Sequence, residues 1–226
     1  MLRAVIFDFD GVITDSEILH LRAFNRVLAQ YDIEISTKDY YRVYLGFTDV
    51  DCFKFVSERN QLGLDDRDIR NLVAQKNRIF EELARTEGRT IEGVPAFLRM
   101  LRSHHLPMAI CSGALLAEIE LLLEEARLRH FFSAIISAEH TRKSKPDPEG
   151  FLLALQRLND EQQRPILPEQ CVVVEDSHWG LEAAKAAGMH AIAVTNSYDA
   201  KQLSLAEKIV ARLDELSIDD LQQLCV

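Results

Sequence analysis

The sequence predicts an α/β fold, in which a doubly wound parallel sheet is interrupted by a helical insertion. From about residue 90 onward, short apolar runs such as PMAICS at 107–112 and CVVVEDS at 171–177 alternate with helical patterns. Continuous apolar strands that alternate with helices are typical of a parallel sheet covered on both faces. A second observation is the apolar run at 4–8, which places the first strand before the insertion.

Six strands are predicted from these runs. Most of them lead through a polar turn into a helical pattern, and the last one precedes a C-terminal helix. The strands are predicted at 4–8, 107–112, 133–137, 171–177, 190–196 and 207–213, and helical patterns follow at 115–126, 148–158 and 180–188.

The segment between the first strand and the rest of the sheet has a different pattern. It contains no convincing strand, and it predicts four helices, the first with Asp15 or Ser16 as its N-cap. The helices are predicted at about 17–30, at 37–45 with a stop at Gly46, at 49–60 and at 66–87.

Two domains are therefore expected. An all-helical insertion cannot belong to the layers of the sheet, so an α/β core at 1–15 and 90–226 would carry a helical cap at 16–89. The cap would be hinged where the chain crosses between the domains, near 14–16 and 88–92. Closure of such a cap excludes water during a reaction, and opening releases the product.

The composition limits the partners. The 226 residues carry a formal net charge of −10, whereas nucleic acid and anionic membranes both need a basic face. No apolar stretch approaches the about 20 residues of a membrane span, and no obligate protein partner is evident. Four widely spaced cysteines suit buried free thiols better than disulfides or a zinc site. We expect a cytoplasmic protein that acts on a small molecule.

Polar and charged residues follow four of the predicted strands. In an α/β sheet, ligands bind outside the carboxyl ends of the strands. Acidic groups clustered there would repel each other, and a divalent cation with oxygen ligands removes that conflict. Oxygen ligands favour Mg²⁺ over zinc, which prefers Cys and His. The residues at these strand ends are Asp8 and Asp10, Ser112 and Gly113, Lys143 and Lys145, and Glu175 with Asp176.

These residue types suit phosphoryl transfer, which depends mostly on positioning and charge neutralisation. Asp8, fixed by the end of its strand, is expected to attack phosphorus and form an aspartyl-phosphate. Asp10, two residues further, would act as general acid and then as general base. Lys145 and Mg²⁺ would neutralise the transferring group. The predicted metal ligands are Asp8, Asp10, Glu175 and Asp176.

The phosphate oxygens need hydrogen-bond donors of their own. Ser112, with the backbone N–H groups of Gly113 and Ala114 at the start of the following helix, is predicted to bind them. Glu175 has two possible roles, since it could hold metal-bound water or orient Lys145, and the sequence leaves both open.

Four motifs in this order resemble those of the haloacid dehalogenase-like (HAD) superfamily, and the resemblance spans essentially the whole chain. The motifs are DFDGVITD at 8–15, ICSG at 110–113, KSKPDP at 143–148 and VVVEDS at 172–177. The resemblance implies a Rossmann-like core, a helical cap and an aspartyl-phosphate mechanism. The roles it implies are Asp8 as nucleophile, Asp10 as acid and base, Ser112 and Lys145 for phosphate, and Asp176 with Glu175 for Mg²⁺.

Two stretches of the insertion, GVITDSEILHLRAF at 11–24 and QKNRIFEEL at 75–83, resemble the β-phosphoglucomutase-like phosphatases. This resemblance implies that His20 and Lys76 face the substrate. The residues themselves leave an alternative open, because Lys76 lies on an apolar helix face and could be a snorkelling lysine. His20 could equally be a polar surface residue. The predicted substrate-binding residues of the cap are His20, Phe47, Thr48 and Lys76.

One departure from the mutases of this subgroup favours a phosphatase. Those mutases grip a second phosphate with an arginine in a cap loop, and here that loop reads LGFTDVD, with the acidic Asp49. The sequence therefore predicts a Mg²⁺-dependent phosphatase for a small phosphorylated metabolite, most simply a sugar phosphate. A sugar-phosphate mutase is the first alternative. A non-catalytic HAD fold used as a binding module is the second, and it predicts damaged motifs that this sequence does not show.

Overall fold

The structure is a computed structural model that describes residues 1–44, 47–160 and 162–225. The chain forms two compact units. Unit 1 comprises Met1–Asp15 together with Arg89–Val226, and unit 2 comprises Ser16–Gly88. Unit 1 carries the sheet, and the elements described in unit 2 are helical.

A six-stranded sheet forms the centre of unit 1. Its strands are β1 (Ala4–Phe7), β2 (Met108–Cys111), β3 (Ala134–Ile136), β4 (Cys171–Glu175), β5 (His190–Val194) and β6 (Lys208–Val210). Every pairing is parallel, and the order across the sheet is β3-β2-β1-β4-β5-β6. This order confirms the predicted doubly wound, Rossmann-like fold.

Helices surround this sheet and build unit 2. In chain order they are α1 (Glu17–Leu28), α2 (Thr37–Asp39), α3 (Asp49–Arg59), α4 (Asp66–Glu87), α5 (Val94–Ser103), α6 (Leu116–Glu125), α7 (Glu149–Asn159), α8 (His178–Ala186) and α9 (Ile218–Gln222). The first four belong to unit 2 and the other five to unit 1.

Both faces of the sheet are covered, as the continuous apolar strands predict. On one face, Ile6 belongs to an apolar cluster that includes Phe151 of α7. Phe7, one residue further along β1, makes edge-to-face contacts with Phe97 of α5 and with Phe132, at centroid distances of 6.1 and 5.9 Å. Because successive side chains of a strand point to opposite faces, a strand covered on both sides must be apolar at every position.

Unit 2 differs from its prediction in the second helix. The expected helix is only the short α2, which continues as a π-helical segment at Tyr40–Tyr44, and its predicted stop at Gly46 lies outside the described residues. Tyr40 and Tyr44 are both buried in the apolar cluster of this unit, so tertiary packing overrides the regular α-helical spacing there.

The composition predicted buried free cysteines and no apolar stretch long enough to span a membrane. All four cysteines are buried and free, as predicted. Among the described residues, no helix has both the length and the apolar character that crossing a membrane requires.

Candidate active site

The strand order brings the carboxyl ends of three neighbouring strands together. β1 pairs with β2 on one side and with β4 on the other, so Asp8, Ser112 and Glu175 lie at adjacent strand ends. This is the switch point of the sheet, where α/β folds bind ligands. The Asp8 N–H donates to the Val174 carbonyl at 2.9 Å, which fixes Asp8 although β1 ends one residue earlier.

Lys145 reaches this edge from the loop between β3 and α7. Its ammonium donates to Asp8 Oδ1 and to Glu175 Oε1, both at 2.6 Å, and lies 5.1 Å from the centre of the Phe151 ring. Burial by itself would lower the pKa of Lys145, but Asp8 and Glu175 outweigh it and hold the pKa well above its usual value. The lysine is therefore a cation that bridges the ends of β1 and β4.

Three carboxylates converge at the same place. Oxygens of Asp8, Glu175 and Asp176 lie within 4.8 Å of one another, and the three residues are 8%, 0% and 4% exposed. If all three are ionised, three negative charges and the one positive charge of Lys145 leave a net charge of −2. A buried excess of this kind is costly unless a further cation is present.

The pKa values of Asp8 and Asp176 are raised because ionised carboxylates are unfavourable in this buried group. Burial raises the pKa of Asp8 from 3.8 to about 7; Lys145 opposes the shift, and Glu175 and Asp10 add to it. Burial, with the charges of Asp8 and Glu175, likewise holds the pKa of Asp176 well above its usual range. The ionised forms of Asp8 and Asp176 are thus disfavoured here despite the charge of Lys145, and a second cation would favour them.

Both carboxylate oxygens of Glu175 accept hydrogen bonds from neighbouring residues. Its Oε1 accepts from Lys145, while its Oε2 accepts from the N–H groups of Asp176 and Ser177, both at 3.0 Å, and from the Ser177 hydroxyl at 2.9 Å. By contrast, the hydrogen bonds found for Asp8 and Asp176 among the described residues each use a single carboxylate oxygen. Of the two roles left open by the sequence, this geometry favours orientation of Lys145.

Asp10 lies beside the three-carboxylate group and is not one of its members. The Ser112 hydroxyl donates to Asp10 Oδ2 at 3.3 Å, and the Ala114 N–H donates to Ser112 Oγ at 3.0 Å. Ala114 therefore positions the serine. Gly113 stands in open space, since a Cβ added there would meet nothing within 4 Å. Ser112 and Asp10 form a second polar pair next to Asp8.

The sequence predictions missed two residues of this edge. Ser197 donates a hydrogen bond to Asp176 Oδ2, and the Asn196 side chain donates to the Gly11 carbonyl at 2.7 Å. A signal for both was available, because they closely follow β5, and polar residues at the carboxyl ends of the strands were the criterion that identified the others.

Lys76 of unit 2 is fully buried, so the snorkelling alternative is wrong. Its ammonium lies 2.9 Å from Asp49 Oδ2 and 5.4 and 5.0 Å from the ring centres of Phe24 and Phe80. His20 stacks on the same Phe80 ring, with centroids 4.1 Å apart. Burial, and then Lys76, lower the pKa of His20 well below its usual value, so this imidazole is neutral near pH 7.

The other two predicted cap residues have structural contacts within unit 2. Thr48 is the N-cap of α3, where its hydroxyl oxygen accepts from the Asp51 N–H at 3.1 Å. Phe47 is 42% exposed and packs edge-on against Tyr44 and Phe55. Substrate binding by the four cap residues stays a prediction.

The donor set fits Mg²⁺. Its members are carboxylates, which are the ligands that this hard cation prefers, and no His or Cys belongs to the group. Burial raises the pKa of both Asp8 and Asp176, so a bound cation would favour the ionised form of each. The residues present therefore match the predicted ion in both chemistry and charge.

Fold and site together define a class of protein: an α/β enzyme with acidic residues, a lysine and a serine at the switch point of its sheet. The family model for haloacid dehalogenase-like hydrolases matches residues 5–194. The chain belongs to this family, which confirms the predicted resemblance and the predicted class of enzyme, a HAD-like hydrolase.

Similar proteins are known from sequence and from structure. The fructose-1-phosphate phosphatase YqaB of Escherichia coli is 32% identical over 192 residues, which cover 84% of this chain and 95% of that protein. The β-phosphoglucomutase of Bacillus subtilis is 26% identical over 226 residues, covering 98% and 95%. The crystal structure of CbbY from Rhodobacter sphaeroides in complex with phosphate shares the fold, with a TM-score of 0.83, 24% identity, and coverage of 98% and 100%.

Proposed function

We propose that this protein is a Mg²⁺-dependent phosphatase that hydrolyses a small phosphorylated sugar through an aspartyl-phosphate on Asp8. The observation that carries the proposal is the buried group at the switch point, in which Lys145 bridges two carboxylates and Asp176 adds a third. Such a group needs a divalent cation to balance it, and a dianionic phosphoryl group then meets an ammonium and a metal ion.

In the proposed reaction, an Asp8 oxygen forms a bond to phosphorus while the bond from phosphorus to the sugar oxygen breaks. Asp10 gives its proton to the leaving alkoxide. Water then attacks the acyl phosphate, Asp10 takes back a proton, and inorganic phosphate leaves with Asp8 regenerated. Ser112, which accepts from the Ala114 N–H and donates to Asp10, would bind a phosphate oxygen.

The metal ion would be held by Asp8 and Asp176, whose observed hydrogen bonds each use one carboxylate oxygen. When bound, Mg²⁺ supplies positive charge that stabilises the transferring phosphoryl group. Glu175 acts through its neighbours in this proposal, since it fixes Lys145 and the turn that carries Asp176. Lys145 contributes a second positive charge next to Asp8 Oδ1.

One observation supports a sugar phosphate as the substrate, and a second supports hydrolysis rather than isomerisation. A relative that this chain matches over most of its length is a fructose-1-phosphate phosphatase. Within unit 2, the Lys76 ammonium is already paired with Asp49, so a second phosphate would have to compete with a carboxylate for it. The similarity to a β-phosphoglucomutase keeps the mutase as the alternative function.

The first experiment measures phosphate released from a panel of sugar monophosphates, with Mg²⁺ and with a chelator. We expect turnover of at least one sugar phosphate that needs Mg²⁺, and its loss by several orders of magnitude in Asp8→Asn. Asp32→Asn, at an exposed acid outside the four motifs, is the matched control and should keep full activity. Full turnover by Asp8→Asn protein would exclude Asp8 as nucleophile.

The mutase alternative is tested on the same protein by following hexose 1-phosphates with a catalytic amount of bisphosphate. We expect released phosphate and no 6-phosphate product. Isomerisation faster than hydrolysis would replace the phosphatase assignment with the mutase, while leaving the site chemistry in place.

A further inference from the structure

We infer that Ser197, in the turn after β5, is a positioning residue that fixes the carboxylate of Asp176 for the divalent cation. The inference rests on the metal site of the proposed function, but it requires no particular substrate. Ser197 lies outside the four motifs, and its role follows from the contacts of the turn that carries it.

The contact itself is direct. Ser197 Oγ donates a hydrogen bond to Asp176 Oδ2, and Asp176 is 4% exposed. A carboxylate held through one oxygen presents its other oxygen in a fixed direction, and mutating a partner that orients a ligand in this way typically lowers metal affinity by about 10- to 100-fold.

The turn that carries Ser197 is itself fixed from two sides. The Thr195 N–H donates to the Val210 carbonyl of β6 at 3.1 Å, and the Asn196 side chain donates to the Gly11 carbonyl at 2.7 Å. The hydroxyl is thus anchored to the sheet and to the loop after Asp10. A donor on a rigid support restricts its partner far more than one on a mobile loop does.

The Asp176 carboxylate is also tightly surrounded by backbone. A Cβ on Gly11 would overlap Asp176 Oδ2 and would lie 2.9 Å from Ser197 Oγ. The Gly11 backbone therefore approaches the same carboxylate oxygen that Ser197 holds. Three chain segments, which follow β1, β4 and β5, meet at this single carboxylate.

The test is direct Mg²⁺ binding by calorimetry, with Mn²⁺ binding by electron paramagnetic resonance as a second readout. Neither needs a substrate. We expect Ser197→Ala to raise the Kd for the metal by about 10- to 100-fold, while Ser197→Thr, which keeps a hydroxyl, stays close to the wild-type value. Ser204→Ala, an exposed serine further along the same segment, is the matched control and should bind like wild type.

The outcomes separate this inference from the proposed function. A wild-type Kd in folded Ser197→Ala protein would overturn the positioning role and leave the phosphatase standing. A weakened Kd with rescue by threonine would support it even if no sugar phosphate were hydrolysed. Failure of the wild-type protein to bind either ion would overturn both. Circular dichroism of each variant identifies a loss of binding that reflects unfolding alone.

Discussion

Asp8 shows how far one residue depends on its surroundings. Its position after an apolar strand is visible in the sequence, but its chemistry depends on Lys145 from a loop 137 residues away and on Glu175 from the neighbouring strand. Lys145 favours the ionised form of Asp8, whereas the charges of Glu175 and Asp10 favour its protonated form. The balance makes this carboxylate sensitive to any added cation.

At the residue scale, Gly11→Ala is expected to abolish metal binding and to destabilise the protein. Gly11 has φ +76°, which costs a non-glycine residue about 1–2 kcal/mol, and its Cβ would also overlap the Asp176 carboxylate. Thermal unfolding and Mg²⁺ calorimetry measure the two effects.

Gly63 is the matched control for this substitution. It has φ +66°, but a Cβ added there meets nothing within 4 Å. Gly63→Ala should therefore show only the backbone cost, with metal binding unchanged. Equal effects of the two substitutions on metal binding would contradict the close approach of Gly11 to Asp176.

The sequence predictions at this scale identified the charged residues at the strand ends better than the uncharged residues that contact them. Asp8, Lys145 and Asp176 have charges that demand an explanation at a strand end. Ser197 and Asn196 carry no charge, so their position after β5 is a weaker signal, and their contacts are seen only in the hydrogen bonds to Asp176 and Gly11.

At the scale of elements, α4 shows which part of a helix the local sequence controls. Its N-cap, Asp65, accepts from the N–H groups of Arg67 and Asp68, and the Asp68 side chain accepts from the Asp65 N–H, which together form a capping box. These partners all lie within one turn, so the start of the helix is decided by nearby residues.

Asp65→Ala should lower the free energy of unfolding by about 1 kcal/mol, because the first turn loses the acceptor for two N–H groups. Asp65→Asn keeps an acceptor and should recover most of the loss. Chemical denaturation followed by circular dichroism measures the difference. Equal stability of the alanine variant and wild type would mean that water satisfies these N–H groups as well as the carboxylate does.

The segment after Ser36 shows the opposite case. Its pattern predicts one α-helix, but the chain changes from α2 to a π-helical turn that buries Tyr40 and Tyr44. The Tyr40 hydroxyl also donates to Glu17 of α1 at 2.7 Å. Contacts with distant residues decide this backbone, so a local pattern could not predict it.

At the scale of the whole molecule, the parallel sheet converts a linear order of motifs into one site. Every strand of the sheet points the same way, so the residues that follow the strands all lie at one edge. β1 and β4, far apart in sequence, become neighbours, and Lys145 bridges the acids at their ends.

The burial of Asp8, with the added charges of Glu175 and Asp10, predicts a pH dependence of stability in metal-free protein. Because the pKa of Asp8 is about 7 when folded and near 3.8 when unfolded, the folded state holds more protons between those values. Its stability therefore falls as the pH rises from about 4 to about 7. Unfolding at several pH values in chelator measures the slope, and Asp8→Asn should reduce it. An unchanged slope in that variant would assign the dependence to other groups.

The amino-acid sequence determined the class of fold, the order of the strands along the chain and the identity of the charged residues at their ends. Apolar runs, helical periodicity and capping depend on residues that are close in sequence, so these features can be predicted from short stretches of the chain. The tertiary structure decided which oxygen of Glu175 accepts from Lys145, that Asp10 pairs with Ser112, that Lys76 pairs with Asp49, and that Ser197 donates to Asp176. Each of these depends on distances of a few ångströms between segments far apart in the chain, and such distances exist only after the chain has folded.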